Sequence, residues 1–145
     1  MMLRKIYWYW KVYFVIKGID KILKTQGFKQ IHNVYLNENI SLMPLRDLNE
    51  NDVEFIKLIL EISEKICFSF FGNARCLHRS LSGYHVFQQR GIPIDLVVGV
   101  SKKPFMSHAW LEFNGQVIND SPEFIENLIR QFDTRRLRRV EEQIV

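Results

Sequence analysis

Three stretches with helical spacing of apolar residues, followed by stretches that alternate at period two, divide the chain. The first helix is expected from about Leu3 to Lys24, ending near Gly27, where a left-handed residue is cheap. Its aromatics, Tyr7, Trp8, Tyr9, Trp10, Tyr13 and Phe14, go most of the way round the helix. Three readings follow: plain burial by the rest of the chain, a docking face for a partner, or a weak contact with a membrane surface. From Phe28 to Leu48 the sequence is Asn-rich and weakly periodic, open to short strands or to loop; His32 within it reads as a surface histidine. Asn51 followed by Glu54 resembles a capping box ahead of a second helix. That helix carries Phe55, Ile56, Ile59, Leu60, Ser63, Ile66, Cys67 and Phe70 on one face.

Gly72 breaks the second helix, Asn73 caps a third, and this one should run from Ala74 to Arg90, closed by Gly91 with Pro93 beyond. Cys76 falls in its first turn. From Ile94 the period becomes two, with Ile94, Leu96, Val98 and Val100 on one side, which predicts a strand. Ser107 to Phe113 and Gln116 to Asp120 predict two more, joined at Asn114-Gly115, a strong hairpin signal. Ser121-Pro122 then opens a final helix with Phe124, Leu128, Ile129 and Phe132 inward, and Arg135 to Arg139 forms a solvated end. The expectation is one α+β domain, 1–145: an N-terminal helix and connecting segment (1–50), a core with the chemistry (51–121) and a C-terminal helix (122–145).

Composition adds little that conflicts. A chain of 145 residues, 47% hydrophobic and 25% charged, can bury a sizeable core without a disulfide or a structural metal. Its two cysteines, Cys67 and Cys76, form no CxxC pair, which fits a reduced, cytoplasmic protein. The net charge of +4 comes from basic residues near the two ends, decoration rather than a nucleic-acid footprint. The apolar run from Ile6 to Ile16 is broken by Lys11 and is well short of the ~20 residues needed to span a bilayer, so neither a signal peptide nor a transmembrane helix is expected.

A nucleophilic thiol must be a thiolate, and the start of a helix supplies the positive potential and free N–H groups that stabilise one. Cys76 has that placement, with Arg75 and Arg79 nearby. Cys67 lies on an apolar helix face, where cysteine behaves as a small hydrophobe. His78 and His85 lie about 200° and 180° around the third helix from Cys76 and point away from it. Seven residues of helix put those histidines about 10.5 Å apart, too far to share a metal. His108 on a strand and Asp120 beyond the hairpin remain, and with Cys76 they can form a Cys-His-Asp triad.

The segment from Ala74 to Ser121 resembles the core of the lasso peptide leader peptidases, the C-terminal domain of the microcin-processing B proteins. The matching pieces are Arg75-Cys76-Leu77 with Arg79-Ser80-Leu81, the GIPIDLVVGV strand, His108-Ala109-Trp110 and Asn119-Asp120-Ser121. The resemblance covers about a third of the chain and implies a transglutaminase-like, papain-like fold, N-terminal helices on a small antiparallel sheet. It implies catalytic Cys76, His108 and Asp120, and cleavage of a ribosomally made precursor just before its core peptide. No metal or nucleotide cofactor is implied, ATP belonging to a separate lasso cyclase that closes the ring. The implied partners are the precursor's leader peptide, that cyclase, and a small leader-binding protein, since the chain resembles the split form with no leader-binding domain of its own. Phe70 departs from the pattern, standing where papain-like enzymes carry an oxyanion-hole glutamine. The competing expectations are another acyl transferase with the same triad and a non-catalytic scaffold.

Register supplies a sharper expectation. A two-residue Asn114-Gly115 turn pairs Phe113 with Gln116 and sets Asp120 opposite Ala109, facing away from His108. A three-residue loop with Gly115 left-handed sets Asp120 directly opposite His108. The triad therefore predicts the three-residue loop, or an equivalent parity shift elsewhere. The competing outcome places Asn119 on the imidazole's face.

Overall fold

A computed structural model describes residues 2–36, 44–71 and 76–136. Helix α1 (Met2–Thr25) ends as its spacing predicts, with Gly27 at φ 79° and its N–H bonded back to Ile22 O at 3.0 Å. The next segment is neither strand nor loop at first: Phe28–Tyr35 form α2. The reason is tertiary, because Ile31 is fully buried and the segment gains a core contact that its weak periodicity conceals. His32 on α2 is half-buried rather than on the surface, its ring edge-on to Phe132 at 5.8 Å.

Helix α3 (Glu50–Phe70) is capped two residues before the expected position. Asn49 accepts from the Asp52 N–H at 2.9 Å while Asp52 Oδ2 accepts from the Asn49 N–H at 3.0 Å, a reciprocal box built on Asn49 and Asp52 rather than Asn51 and Glu54. Arg46 then bridges Asp52, at 2.6 Å, and Gly91 O, at 3.0 Å, tying this helix start to the end of the next helix. Phe55, Ile59, Ile66 and Cys67 are fully buried as their spacing predicts, whereas Phe70 is 57% exposed. Helix α4 (Cys76–Gln89) follows; the expected breaker Gly72, cap Asn73 and neighbouring Arg75 lie outside the described residues.

Strands β1 (Asp95–Lys102), β2 (Phe105–Phe113), β3 (Gln116–Val117) and β4 (Ile129–Asp133) make one antiparallel sheet in the order β3-β2-β1-β4. One face, with Leu96, Ala109 and Leu111, packs on the helices to form the main core; Val97 and Trp110 start a smaller one with Ile125 on the other face. The expected C-terminal helix is the largest correction. Only α5 (Pro122–Glu126) is helical before the chain joins the sheet as β4, leaving Phe124 and Ile129 partly exposed, 39% and 49%, rather than inward. Pairing with the open edge of β1 outweighs local helical spacing, and Thr134 fastens it, accepting from the Leu96 N–H at 3.0 Å and donating to buried Asp95 at 2.9 Å.

Of the α1 aromatics only Trp8 is buried, edge-on to Phe55 with ring centres 4.8 Å apart. Tyr7, Trp10 and Phe14 are 56%, 53% and 62% exposed, so much of the aromatic surface does face outward. No described helix is long and apolar enough to cross a membrane.

Candidate active site

Cys76 is the first residue of α4 and His108 lies within β2, and the packing of α4 against β2 brings them together. A partly buried chain of hydrogen bonds fixes that packing. Ser80, one helical turn beyond Cys76, donates to Ala109 O at 3.1 Å and accepts from Asn119 Nδ2 at 3.0 Å. Asn119 Oδ1 accepts from the Leu111 N–H at 2.8 Å. These bonds join helix, strand and the segment after β3 within one turn of the thiol.

The hairpin settles differently from the expected register. Phe113 pairs with Gln116 and Glu112 with Val117 across a two-residue turn, with Asn114 at φ 48° and Gly115 at φ 84°. Two successive positive φ values match the right-handed twist of the strands, which a type I′ turn needs and Asn-Gly accepts. The three-residue loop is therefore wrong. Yet Asp120 still meets His108, because β3 stops at Val117 and residues 118–120 bend away from strand geometry. Period-two parity ends with the ladder. Asp120 Oδ2 then lies 2.5 Å from His108 Nε2, while Asn119 turns to Leu111 and Ser80 instead of the imidazole.

With Nε2 committed to the carboxylate, Nδ1 is the ring nitrogen left for sulfur. Burial pushes the Cys76 thiol up, but its hydrogen bond with His108, the backbone N–H groups of Ala109 and Leu77, and the imidazolium charge together hold it below the ordinary thiol value. The same bond to Cys76 raises His108, against burial and with help from Asp120. Burial pushes Asp120 up as well, but His108, the Ser121 N–H and the Arg79 charge outweigh it and hold the carboxyl low; Arg79 lies 3.6 Å away. The Cys76 and His108 shifts both run toward a thiolate–imidazolium pair, and the acid behind it is held low as well.

The pair opens onto a cleft of about 240 Å³ walled by Phe28, Leu77, Val98 and Ala109. Phe28 comes from α2, so the segment without legible structure supplies part of the site. The Ala109 backbone donor was also invisible in the sequence, since it depends on where the sheet places a main-chain N–H. Trp110 stacks on His108, with centres 6.1 Å apart and 22° between planes, and Phe124 meets the imidazole edge-on at 5.1 Å. Alternation along His108, Trp110 and Glu112 could have revealed that shared face.

The other candidates stand apart. His78 points to α1, where it meets buried Asp20 at 2.9 Å, and His85 packs against Tyr35. Cys67 is wholly enclosed. Phe70 supplies no donor and rests its ring on Tyr13, 5.2 Å away. No group of three metal-binding side chains occurs among the described residues.

Residues 37–130 match the Transglutaminase-like superfamily. A stretch of 53 residues, 37% of this chain, is 43% identical to the microcin J25-processing protein McjB of Escherichia coli and covers 26% of that protein's length. No solved structure matches.

Proposed function

Because the chain belongs to the transglutaminase-like superfamily, we propose that it is a cysteine peptidase that removes the leader from a lasso peptide precursor. The observation that carries the reading is the line from Cys76 through His108 to Asp120 at the mouth of an apolar cleft. The Cys76 thiolate attacks the carbonyl carbon of the scissile bond, and the oxyanion draws on the Cys76 N–H at the start of α4. The imidazolium of His108 gives its Nδ1 proton to the departing amine, leaving a thioester on sulfur. Water then adds with His108 as base, and the thioester collapses to a carboxylate and free thiol. Asp120 keeps the ring in the required tautomer throughout. Chemistry written this way uses neither metal nor nucleotide.

The partial likeness to McjB supports the choice of substrate, and the test is direct. Incubation with precursor and a leader-binding protein should give two fragments whose masses sum to precursor plus water. An acyl transferase would instead join the acyl part to an added amine, and a scaffold would leave Cys76 unreactive toward a thiol probe.

Two expectations belong here. A thiol lowered by an imidazole whose own value is raised makes the active ion pair most abundant between the two titrations. The cleavage rate is expected to rise with pH from the acid side as the thiol ionises, below the ordinary thiol range, and to fall above the ordinary histidine range as the imidazolium loses its proton. A kcat/KM profile checks this, and a single rise centred near 8.5, the value of a free thiol, would contradict it. The second concerns the exposed row of Tyr7, Trp10 and Phe14 on α1, offered as the dock for the leader-binding protein. Replacing all three with serine is expected to weaken partner-dependent cleavage by about tenfold or more while sparing the slow partner-free reaction. Equal loss in both, with a lower melting temperature, would make the row merely structural.

A further inference from the structure

Beyond the three residues of the proposed mechanism, the sheet carries an apparatus that bears on His108. Antiparallel pairing sets Arg130 of β4, Gly99 of β1 and His108 of β2 in one cross-strand row. Pairing between β1 and β4 shifts by one residue between Val98 and Gly99. Without that bulge Gln131 would stand opposite Gly99; with it, Arg130 does. The missing side chain at Gly99 is equally specific, since a Cβ there would lie 2.7 Å from the Trp110 ring. The indole thus fills the gap over β1.

Trp110 is wholly buried and its Nε1–H donates to Glu112 Oε2 at 2.7 Å. Glu112 is itself 1% exposed, and Arg130 grips it with two bonds, 2.7 Å to Oε2 and 3.1 Å to Oε1, while its guanidinium lies 5.8 Å from the centre of the Trp110 ring. Enclosing a carboxylate is costly unless it is paired, and a forked guanidinium fixes both its charge and its plane. The indole N–H reads that plane, and the indole ring stacks on the imidazole.

We propose that Glu112 and Arg130 are positioning residues, which lock the Trp110 indole as a platform and through it hold the His108 ring in line with Cys76 and Asp120. Edge strand β4, which had no role in the reaction as written, thereby becomes part of what makes the site competent. The titratable groups facing His108 are Cys76 from α4 and Asp120 from the segment after β3, with Arg79 of α4 behind Asp120; Glu112 and Arg130 act through the indole. The proposal rests on the Cys76–His108 pair and not on the identity of the peptide cleaved.

The experiment is alkylation of Cys76 by iodoacetamide as a function of pH, read by mass spectrometry, in the full chain and in Glu112→Gln, Trp110→Phe and Arg130→Lys. Glutamine still accepts from the indole but loses the charge, phenylalanine keeps a ring but loses the donor, and lysine keeps a charge but loses the fork. Each variant is expected to move the reactive limb upward by about half a pH unit or more. Each should also lower kcat for leader cleavage by about tenfold with KM little changed. Arg130 sits at a partly exposed edge, with 39% of its side chain accessible, so Arg130→Lys serves if the buried variants do not fold. A normal low-pH limb in the parent chain with unshifted limbs in every folded variant would overturn the positioning role alone. A parent Cys76 that titrates as an ordinary thiol would overturn the ion pair and this role with it.

Discussion

Cys76→Ala and His108→Ala are each expected to reduce leader cleavage by at least about a thousandfold while the protein stays folded, because a nucleophile and its base act as one unit and losing either forfeits the step. Neither side chain is a main packing element. Both are half-buried at a cleft mouth, so truncation removes chemistry and little core. Cys67→Ala is the matched control. It removes a fully buried sulfur, at a cost to stability of about 1 kcal/mol, and leaves turnover per folded molecule unchanged. Denaturant midpoints beside initial rates of fragment formation make the comparison, and normal turnover by Cys76→Ala would end the peptidase reading.

Asp120→Ala and Asn119→Ala should separate in the opposite sense from each other. Losing Asp120 leaves His108 Nε2 without its carboxylate, so the wrong tautomer becomes available and kcat is expected to fall roughly 10²- to 10⁴-fold with little effect on unfolding. Losing Asn119 strips the Leu111 N–H and Ser80 Oγ of a partner inside the helix–strand junction. Leaving such groups unmet costs about 1–3 kcal/mol, so the effect should appear in the urea midpoint, with the rate per folded molecule within a few fold. Cleavage that survives Asp120→Ala but not Asn119→Ala would exchange the two roles.

Local rules carried the sequence reading where one element could satisfy itself. The apolar spacing of α3 marked Phe55, Ile59 and Ile66 as core, and the Asn114-Gly115 pair marked the hairpin, because helix and turn energetics are settled within a few residues. The same rules placed Cys76 at a helix start and turned His78 and His85 away from it, and the structure agrees on all three. They misplaced the α3 cap by two residues because Asn49 and Asn51 both have a carboxylate three positions on.

Where an element's energy comes from elsewhere in the chain, the sequence by itself could not decide. Phe28–Tyr35 is helical beside a buried Ile31, and Ile129–Asp133 is a strand because β1 had an open edge, although its own spacing suits a helix. The meeting of Asp120 with His108 belongs to the same class. Residue types and order named both groups, but strand parity in the two-residue turn would have kept them apart, and only the bend after Val117 brought them together. Cys76, His108 and Asp120 were thus legible as candidates, since chemistry is written in residue type. Their alignment, the Ala109 donor and the Arg130–Glu112–Trp110 support depend on long-range register and packing, which are properties of the assembled sheet and are written in no single segment.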